Sequence, residues 1–386
     1  MNSTHRRLVC GWFMLVVAAT AHGQEKKTAR AGIDAASIVA YEKIGGTYGG
    51  WSRDPHRGHL FLPNPKEDEA QILPAFSFRD TFPETRLPQV QKPFGLDLDF
   101  MKLTDAQLQN LAHLKNLRGL SLMFSDITDE KLKYVAVIKE LSLLKLGFTK
   151  VSDAGTKEVA TLSNLSYLDL SNASISNAGL KELAALKSLS ALFVGGTNVS
   201  DEGLNELGRL KLLTELSVAG TNVSDLGVKH LAQHKGLVAL NLDRTSIGDS
   251  GLREAARLTK LSSLQLRGTR ISDQGIREIA RLEKLAELSL SDTKITDTGV
   301  KQLAALDALT LLELNGTKIT DAGLKELARS NQLETVYLKG TEISDTGLKA
   351  LVALKSLRSL YLNDTKVTKA GVAELRQALP KCRIQH

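Results

Sequence analysis

The sequence predicts an α/β solenoid, a right-handed horseshoe with a parallel β-sheet on its concave face and short helices on its convex face. The main observation is an apolar position that recurs at a fixed step of 24 residues without insertion. Self-similarity at such a short period is typical of solenoids, in which each copy stacks on the next. The position is occupied by Leu117, Leu141, Leu165, Leu189, Leu213, Leu237, Leu261, Leu285, Leu309, Leu333 and Leu357.

The copy LTLLELNGTKITDAGLKELARSNQ shows how each segment is predicted to fold. Leu312 and Leu314 flank Glu313, so a strand would place both leucines on one face and the glutamate on the other. Further along, Leu324 and Leu327 are three residues apart, as on the inner face of a short helix. One copy has too few apolar residues to offset the entropy lost on ordering its backbone. We therefore expect about 12 repeats that stabilise one another by stacking.

A threonine recurs shortly after each predicted strand. A hydroxyl at this place is expected to bond turn backbone that burial would otherwise leave unpaired. Ser125 and Ala173 depart from the pattern. The threonines are Thr149, Thr197, Thr221, Thr245, Thr269, Thr293, Thr317, Thr341 and Thr365.

An aspartate and a glycine recur at the start of each predicted helix. With the Ser or Thr before it, the aspartate is expected to cap the helix by accepting from its free N–H groups. The glycine two residues later, from Gly155 to Gly371, is expected to let stacked turns approach closely. Asn177 and Lys369 replace the aspartate in two copies. The aspartates are Asp105, Asp129, Asp153, Asp201, Asp225, Asp249, Asp273, Asp297, Asp321 and Asp345.

The N-terminus, residues 1–23, reads as a secretory signal peptide that predicts export to the periplasm or the extracellular space. Arg6 and Arg7 precede an apolar run over residues 8–19 and a small-residue cleavage site. An uncleaved anchor is the alternative, although the run is short for a membrane span. No later stretch is apolar enough to span a membrane, so we expect none after signal removal.

The remaining chain divides into three predicted parts. Residues 24–92 hold six of the eight prolines and break the repeat pattern. Within them, residues 33–44 are predicted to form a helix that a Gly-Gly pair ends. We expect residues 24–92 to cap the first repeat, because an open solenoid end would expose its core. Residues 93–380 form the repeats, and residues 381–386 end a C-terminal cap.

Charge and cysteine content narrow the possible functions. Losing Arg6 and Arg7 with the signal peptide lowers the formal charge from +7 to +5. The basic residues are dispersed among acidic ones rather than concentrated in a stripe, so no nucleic-acid partner is expected. Cys382 would be alone after signal removal, which predicts no internal disulfide.

The repeat pattern L-x-x-L-x-L-x-x-T-x-[IV]-[ST]-D-x-G-[LV]-x-x-L resembles the leucine-rich repeat family of the ribonuclease-inhibitor-like and cysteine-containing kind. It is most similar to secreted bacterial members with threonine in the slot that often holds Asn or Cys. The resemblance covers about three quarters of the chain. It implies protein–protein interaction on the concave sheet and leaves the partner open. The chain has no F-box segment, so ubiquitin ligation is not implied.

Outward strand positions line the predicted concave face, and they are the candidate binding residues for an unidentified protein or peptide. Rigid aromatic and basic side chains there suit recognition. The alternative is a structural or adhesive envelope protein that recognises polysaccharide, because exposed aromatics also stack on sugars. The candidate partner-binding residues are Met123, Tyr167, Phe193, Arg267, Tyr337, Lys339 and Tyr361.

Two aromatic features have structural interpretations. The apolar outward residues of the early repeats are seldom left exposed in a monomer, and the N-terminal cap is one element that would cover them. Phe100, Phe124 and Phe148 recur at the 24-residue step after their strands. We interpret them as a stacked spine under the rim rather than a ligand site.

No arrangement of residues indicates catalysis, a cofactor or a metal site. His230 and His234 are four apart, a spacing that binds metal on a helix. No third ligand accompanies them, so we interpret them as a helix-surface pair. The sequence therefore predicts an exported, monomeric, non-enzymatic binding protein.

Overall fold

The structure, a computed structural model, describes residues 33–54, 58–63 and 73–386. The predicted signal peptide lies outside these residues. Within the described chain, 16 strands form one sheet, and their order in the sheet follows the sequence from β3 to β16. Successive strands from β3 onward are parallel, and helices connect those of the repeats. The predicted leucine-rich repeat solenoid is therefore confirmed.

The strands of the repeats are short, most of them three residues long. The 16 strands are β1 (Thr47–Asp54), β2 (Gly58–Pro63), β3 (Leu73–Ser77), β4 (Phe94–Asp97), β5 (Leu117–Ser121), β6 (Leu143–Lys145), β7 (Tyr167–Asp169), β8 (Ala191–Phe193), β9 (Glu215–Ser217), β10 (Ala239–Asn241), β11 (Ser263–Gln265), β12 (Glu287–Ser289), β13 (Leu311–Glu313), β14 (Thr335–Tyr337), β15 (Ser359–Tyr361) and β16 (Arg383–Gln385).

The helices of the repeats begin at the recurring aspartate or its replacement. The α-helices are α1 (Ala35–Lys43), α2 (Asp105–Leu111), α3 (Asp129–Ala136), α4 (Asp153–Val159), α5 (Asn177–Leu183), α6 (Asp201–Glu206), α7 (Asp225–Leu231), α8 (Asp249–Ala255), α9 (Asp273–Ile276), α10 (Asp297–Leu303), α11 (Asp321–Leu327), α12 (Asp345–Leu351) and α13 (Lys369–Ala378). Short 3₁₀ segments, Leu207–Arg209 and Arg277–Arg281, extend α6 and α9.

The register of the sheet repeats the 24-residue step of the sequence. Leu240 in β10 pairs with Leu216 in β9 and with Leu264 in β11. These middle leucines are buried, and the residues on either side of each point to the concave face. Strand leucines and inner helix residues join in one continuous core that runs from Ile33 to Ile384. A single core along the whole solenoid is what stacking of incomplete units predicts.

The threonine column has the predicted structural role. Each threonine hydroxyl donates to the backbone carbonyl of the residue three positions earlier, at 2.5 to 2.7 Å. In the copy after β11, for example, Thr269 Oγ1 donates to the Leu266 carbonyl at 2.6 Å. Ser125 makes the same bond to Leu122. The buried turn carbonyls are thereby satisfied.

The residue before the aspartate caps its own helix in most copies, as predicted, whereas Thr128, Ser200 and Gly248 make no side-chain bond of this kind. Ser224, for instance, accepts from the backbone N–H of Leu226 at 3.3 Å. The recurring aspartate acts differently from the prediction that it caps its own helix. Its carboxylate accepts from the capping Ser or Thr of the following repeat, and the N–H bonds measure 2.7 to 2.9 Å. We call this set of contacts the inter-repeat carboxylate ladder.

One step of the inter-repeat carboxylate ladder shows its full set of contacts. Asp201 accepts from Ser224 N at 2.8 Å, from Ser224 Oγ at 2.6 Å and from Gly227 N at 3.0 Å. Asn177 keeps part of this pattern, because its side-chain oxygen accepts from Ser200 N at 2.9 Å. The bonds to Thr368 lower the pKa of Asp345 below its usual value. The ladder connects neighbouring helices at their N-termini.

The recurring glycine leaves room for this carboxylate, which confirms the predicted close approach. A Cβ placed on Gly227 would lie 2.5 Å from Asp201 Oδ1, and the other glycines of the column face the preceding carboxylate or amide as closely. No side chain larger than hydrogen fits without displacing the carboxylate.

The N-terminal region extends the sheet. α1 begins after Asp34, whose side chain accepts from Ser37 N at 2.8 Å, and this confirms the predicted helix. β3 pairs in parallel with β4, whereas β1 pairs antiparallel with both β3 and β2. Tyr41, Phe76 and Phe94 pack in the core at this end, with the first two rings stacked at 4.0 Å.

The C-terminal end of the sheet is a single short strand. β16 pairs in parallel with β15, and α13 is longer than the other repeat helices. Cys382 is free and buried beside Leu379 and Ile384 in the core, where burial raises the pKa of its thiol. It packs as a small apolar residue.

The inter-repeat carboxylate ladder predicts an unusual response to alanine in a helix. Gly227→Ala is expected to destabilise the protein by about 2 kcal/mol, because the new methyl group would displace the Asp201 carboxylate. Helix propensity alone predicts the opposite, a gain of about 1 kcal/mol. Asp201→Ala should cost about 2 to 3 kcal/mol by leaving its three donors without their acceptor. Guanidinium unfolding measures both.

The two substitutions should also be coupled. In the Asp201→Ala background, Gly227→Ala should cost at least about 1 kcal/mol less than in the wild type. Gly236→Ala serves as a control, because the nearest atom to its new Cβ is the Leu213 carbonyl oxygen at 3.4 Å. Strictly additive effects at positions 201 and 227 would contradict the ladder.

Candidate binding surface on the concave sheet

The concave face is built from the outward residues of each three-residue strand. In β11, Ser263 and Gln265 flank the buried Leu264, so they face the concave side. The same parity holds from β5 to β16 because each strand residue pairs with the residue 24 positions further along the chain. Every copy therefore contributes side chains to the same columns of one surface.

The N-terminal part of this face is covered, as the sequence analysis expected. Trp51 of β1 is only 1% exposed and packs with Leu143 and Tyr167 in a second apolar cluster on the concave side. Gly95 and Gly119 lie beneath the indole, where a Cβ on either would collide with the ring. Their lack of side chains is the sequence signal for this contact. The element that covers this part of the concave face is the β1 strand of the N-terminal region.

Tyr167 and Phe193 are consequently not equivalent candidates. Tyr167 is 4% exposed and packs against Phe193, with ring centroids 5.1 Å apart. Phe193 remains partly exposed at the edge of the Trp51 cluster. Met123 is also partly exposed, and its backbone N–H donates to Asp99. We leave Tyr167 out of the proposed binding surface because the β1 strand covers it.

Buried charges lie next to this covered region. Asp97 forms an ion pair with Arg79, with 2.8 Å between Asp97 Oδ2 and the guanidinium. Burial, and then the negative charge of Asp99, raises the pKa of Asp97 to about 6 despite that ion pair. Burial also raises the pKa of Asp169. Lys145 lies in the same column and lowers the pKa of both buried aspartates.

An open groove of about 230 Å³ occupies the middle of the concave face, between β8 and β13. Phe193 lies at one end and Glu313 at the other, with Asp243 and Arg267 along one side. We call this the central groove. Arg267 Nε forms a 2.9 Å ion pair with Asp292 on the rim. Sequence analysis had selected Phe193 and Arg267 but not Asp243.

Asp243 is the most perturbed group in the central groove. Its Oδ1 accepts from the backbone N–H of Arg267 at 2.7 Å. Burial raises its pKa to about 6, and the negative charge of Glu313 adds to this, whereas Arg267 and Arg244 act in the opposite direction. The surrounding cations are therefore insufficient to stabilise its charge.

The C-terminal aromatics form a compact, partly exposed pair. The rings of Tyr337 and Tyr361 are stacked with centroids 4.2 Å apart and planes 5° apart. Lys339 beside them forms a 3.4 Å ion pair with Asp364. The exposed Arg358 precedes β15. We call Tyr337, Tyr361 and Lys339 the C-terminal tyrosine patch.

The three recurring phenylalanines stack as predicted, but they do so at the surface. Their centroids are 4.7 and 4.3 Å apart, and Phe100 is 60% exposed. All three have a positive φ, between 57° and 66°, which is unfavourable for a bulky side chain. The equivalent positions in five later repeats hold glycine, whose φ there is also positive. Placing them under the rim was wrong, because this backbone turn directs the rings outward.

The interpretation of His230 and His234 as a helix-surface pair was wrong for the second residue. Helix α7 ends at Leu231, so His234 lies beyond it and is buried. Burial, and then the charge of Lys211, lowers the pKa of His234. Within the described ranges, no cluster of three or more His, Cys, Asp or Glu side chains could hold a metal ion. No helix in those ranges is long and apolar enough to cross a membrane.

The predicted site residues fall into separate regions of the concave face. Met123 lies at the N-terminal end, Tyr167 and Phe193 border the Trp51 cluster, and Arg267 lines the central groove. Arg267 directly follows β11, and the tyrosines of the C-terminal tyrosine patch lie three and four strands further on, in β14 and β15. An extended partner could contact several of these regions at once.

Comparison with known proteins agrees with this architecture. The family described as Leucine Rich repeat matches residues 161–184, 257–280, 282–304, 309–328 and 329–352. A comparison with curated proteins found no match. Similar solved structures include an internalin, InlF, from Listeria monocytogenes, with 25% sequence identity and a TM-score of 0.57 over 75% of this chain and 86% of that one.

Two further structures are more distant. A leucine-rich repeat protein of Leptospira interrogans has 20% identity and a TM-score of 0.32, over 77% of this chain and 96% of that one. The plant peptide hormone receptor RGFR1 in complex with RGF2 has 14% identity and a TM-score of 0.41, over 80% of this chain and 65% of that one. The family match and the internalin structure therefore agree with the leucine-rich repeat solenoid fold of this chain.

The raised pKa of Asp243 predicts a stabilising substitution. Its pKa is about 6 in the folded state and near 3.8 when unfolded, so the folded state binds more protons between pH 4 and 6. The contribution of Asp243 to the free energy of unfolding is therefore favourable at low pH, and it is lost as the pH rises through 6. Asp243→Asn keeps the acceptor for Arg267 N–H and removes the charge.

We expect Asp243→Asn to raise the unfolding free energy at pH 7.5 by about 1 to 2 kcal/mol, after allowance for partial exposure. The difference should largely disappear at pH 4, where the wild-type carboxyl is protonated. Urea unfolding at both pH values measures it. A variant less stable than the wild type at pH 7.5 would show that the carboxylate is well solvated or well paired.

Proposed function

We propose that the protein binds an unidentified protein or peptide on its concave sheet, without catalysing a reaction. The observation that carries this proposal is a surface of fixed geometry with variable chemistry. Core leucines, threonines and the inter-repeat carboxylate ladder repeat from copy to copy, whereas the outward strand residues differ between most copies. Such positions can encode selectivity without disturbing the fold.

The open part of the concave face is the part available to a partner. It runs from Phe193, at the edge of the region that the β1 strand covers, to Tyr361 in the last full repeat. It offers the polar central groove and the C-terminal tyrosine patch. Aromatic side chains in such patches commonly contribute most to binding energy.

The stacking of the tyrosines favours protein over polysaccharide. Sugars bind aromatic residues by lying on ring faces, and the inner faces of Tyr337 and Tyr361 cover each other at 4.2 Å. The outer ring faces remain for a partner. A structural or adhesive envelope protein that recognises polysaccharide is the second candidate function, and an array of glycans tests it directly.

We also propose that the protein is exported, acts as a monomer and has repeats of the ribonuclease-inhibitor-like and cysteine-containing kind. The arginine pair and apolar run of residues 1–23 support export. The absence of a basic stripe in the sequence argues against a nucleic-acid partner. Cell fractionation with N-terminal sequencing tests export, and recovery of an uncleaved cytoplasmic protein would contradict it.

Binding should depend on the C-terminal tyrosine patch and not on the helices. Tyr337→Ala or Tyr361→Ala should weaken binding of a captured protein partner by about 2 kcal/mol or more, with little change in melting temperature. Lys325→Glu and Arg277→Glu on the convex helices are controls that should change affinity by less than about 0.5 kcal/mol. Titration by calorimetry measures both sets.

The opposite pattern would overturn the proposal. If the helix reversals abolish binding while both tyrosine variants bind normally, the convex surface is the binding site. If a glycan on the array binds and depends on these tyrosines while no protein does, the polysaccharide function replaces the proposed one.

A further inference from the structure

The central groove has the shape to accept a side chain from a partner. Its volume is about 230 Å³, and it opens on the concave face between strands β8 and β13. Small residues such as Ser217, Ala239 and Ser263 form its floor. With strands about 4.8 Å apart, the groove spans roughly 24 Å across five strand intervals. This length fits an extended segment of about seven residues.

The charges in the central groove are predominantly negative, although the whole chain carries a formal charge of +7. Asp243 and Glu313 both line it, and the negative charge of Glu313 helps to raise the pKa of Asp243. Arg267 is the lining cation, and its guanidinium pairs with Asp292 on the rim rather than with Asp243. The acidity is therefore a local property of this surface.

The hydrogen bonds of these two carboxylates leave their charge uncompensated by a side-chain cation. Asp243 Oδ1 accepts from a backbone N–H of Arg267, and Glu313 Oε2 accepts from the Ser289 hydroxyl at 3.0 Å. Neither Asp243 nor Glu313 has an ion pair within 4.0 Å among the described residues. The raised pKa of Asp243 is consistent with this environment. A cation that enters the groove would offset the cost of burying the Asp243 carboxylate and its repulsion by Glu313.

From these contacts we propose that the central groove binds a lysine or arginine side chain that a partner protein presents in an extended segment, with Asp243 and Glu313 as the pairing carboxylates. The inference rests on the proposed function and specifies the chemistry of the partner. Phe193 at the N-terminal end of the groove adds an aromatic surface for the alkyl part of that side chain.

Oriented peptide pools test this chemistry without knowledge of the natural partner. Each pool holds 12-residue peptides with randomised positions that exclude Lys and Arg, and one central position fixed as lysine, arginine, norleucine or glutamate. Norleucine has the alkyl chain of lysine without the ammonium group. Fluorescence anisotropy with the full chain should show the lysine or arginine pool binding at least about tenfold tighter than the norleucine pool.

The preference should depend on the two carboxylates. In the Asp243→Asn, Glu313→Gln double variant, the lysine or arginine pool should bind within about twofold of the norleucine pool. The matched control is Glu254→Gln, Glu326→Gln, which makes the same charge change on convex helices. This control should retain the full preference. Circular dichroism spectra and melting curves of both variants establish that they are folded.

Equal binding of the lysine, arginine and norleucine pools to the wild type, or a preference that persists in the groove variant, would overturn the inference. Absence of binding by every pool would overturn it as well. These results leave the proposed function standing if Tyr337→Ala or Tyr361→Ala still weakens binding of a captured protein. If the tyrosine variants also bind that protein normally, both proposals fail.

Discussion

The contact between each recurring aspartate and the following repeat is the constraint on which the rest of this structure depends. A single repeat cannot bury enough apolar surface to fold by itself, so the repeats must be joined at both their strands and their helices. Sheet pairing joins the strands. The inter-repeat carboxylate ladder joins the helix N-termini, as in the bonds from Ser224 and Gly227 to Asp201. It simultaneously requires glycine at the facing position.

Because these contacts lie on the core and helix side of each repeat, the residue types on the concave face are free to vary. The leucines, the threonine hydroxyls and the carboxylates all lie on the core or helix side of the repeat, and together they fix its geometry. The outward strand residues take no part in those contacts. They can therefore be acidic at Glu313 and aromatic at Tyr337, its neighbour in the next strand, without changing the register. The unfavourable charge at Asp243 is a departure from local stability on the surface where a partner would bind.

The periodicity was sufficient to predict the fold, because one register repeated eleven times specifies strand, turn and helix together. It also predicted the threonine bonds and the close approach at the glycines, since both follow from positions within one copy. It did not identify the donors to these carboxylates, because they lie in the next copy, as Ser224 does 23 residues after Asp201. The contact of Trp51 with Gly95 and Gly119 was likewise beyond pattern reasoning, as it joins an irregular segment to the repeats. The charge environment of Asp243 depends on side chains from several strands, and a single repeat does not reveal it.

Deletion of one internal repeat tests the central claim most directly. Removing residues 285–308 would bring Asp273 opposite Thr320 and Gly323, in place of Thr296 and Gly299, and would leave every other contact of the ladder in register. If the repeats are joined as described, the shortened protein should remain monomeric and unfold cooperatively, with a denaturant m-value smaller in proportion to the surface removed. An aggregated product, or one without a cooperative transition, would contradict the account.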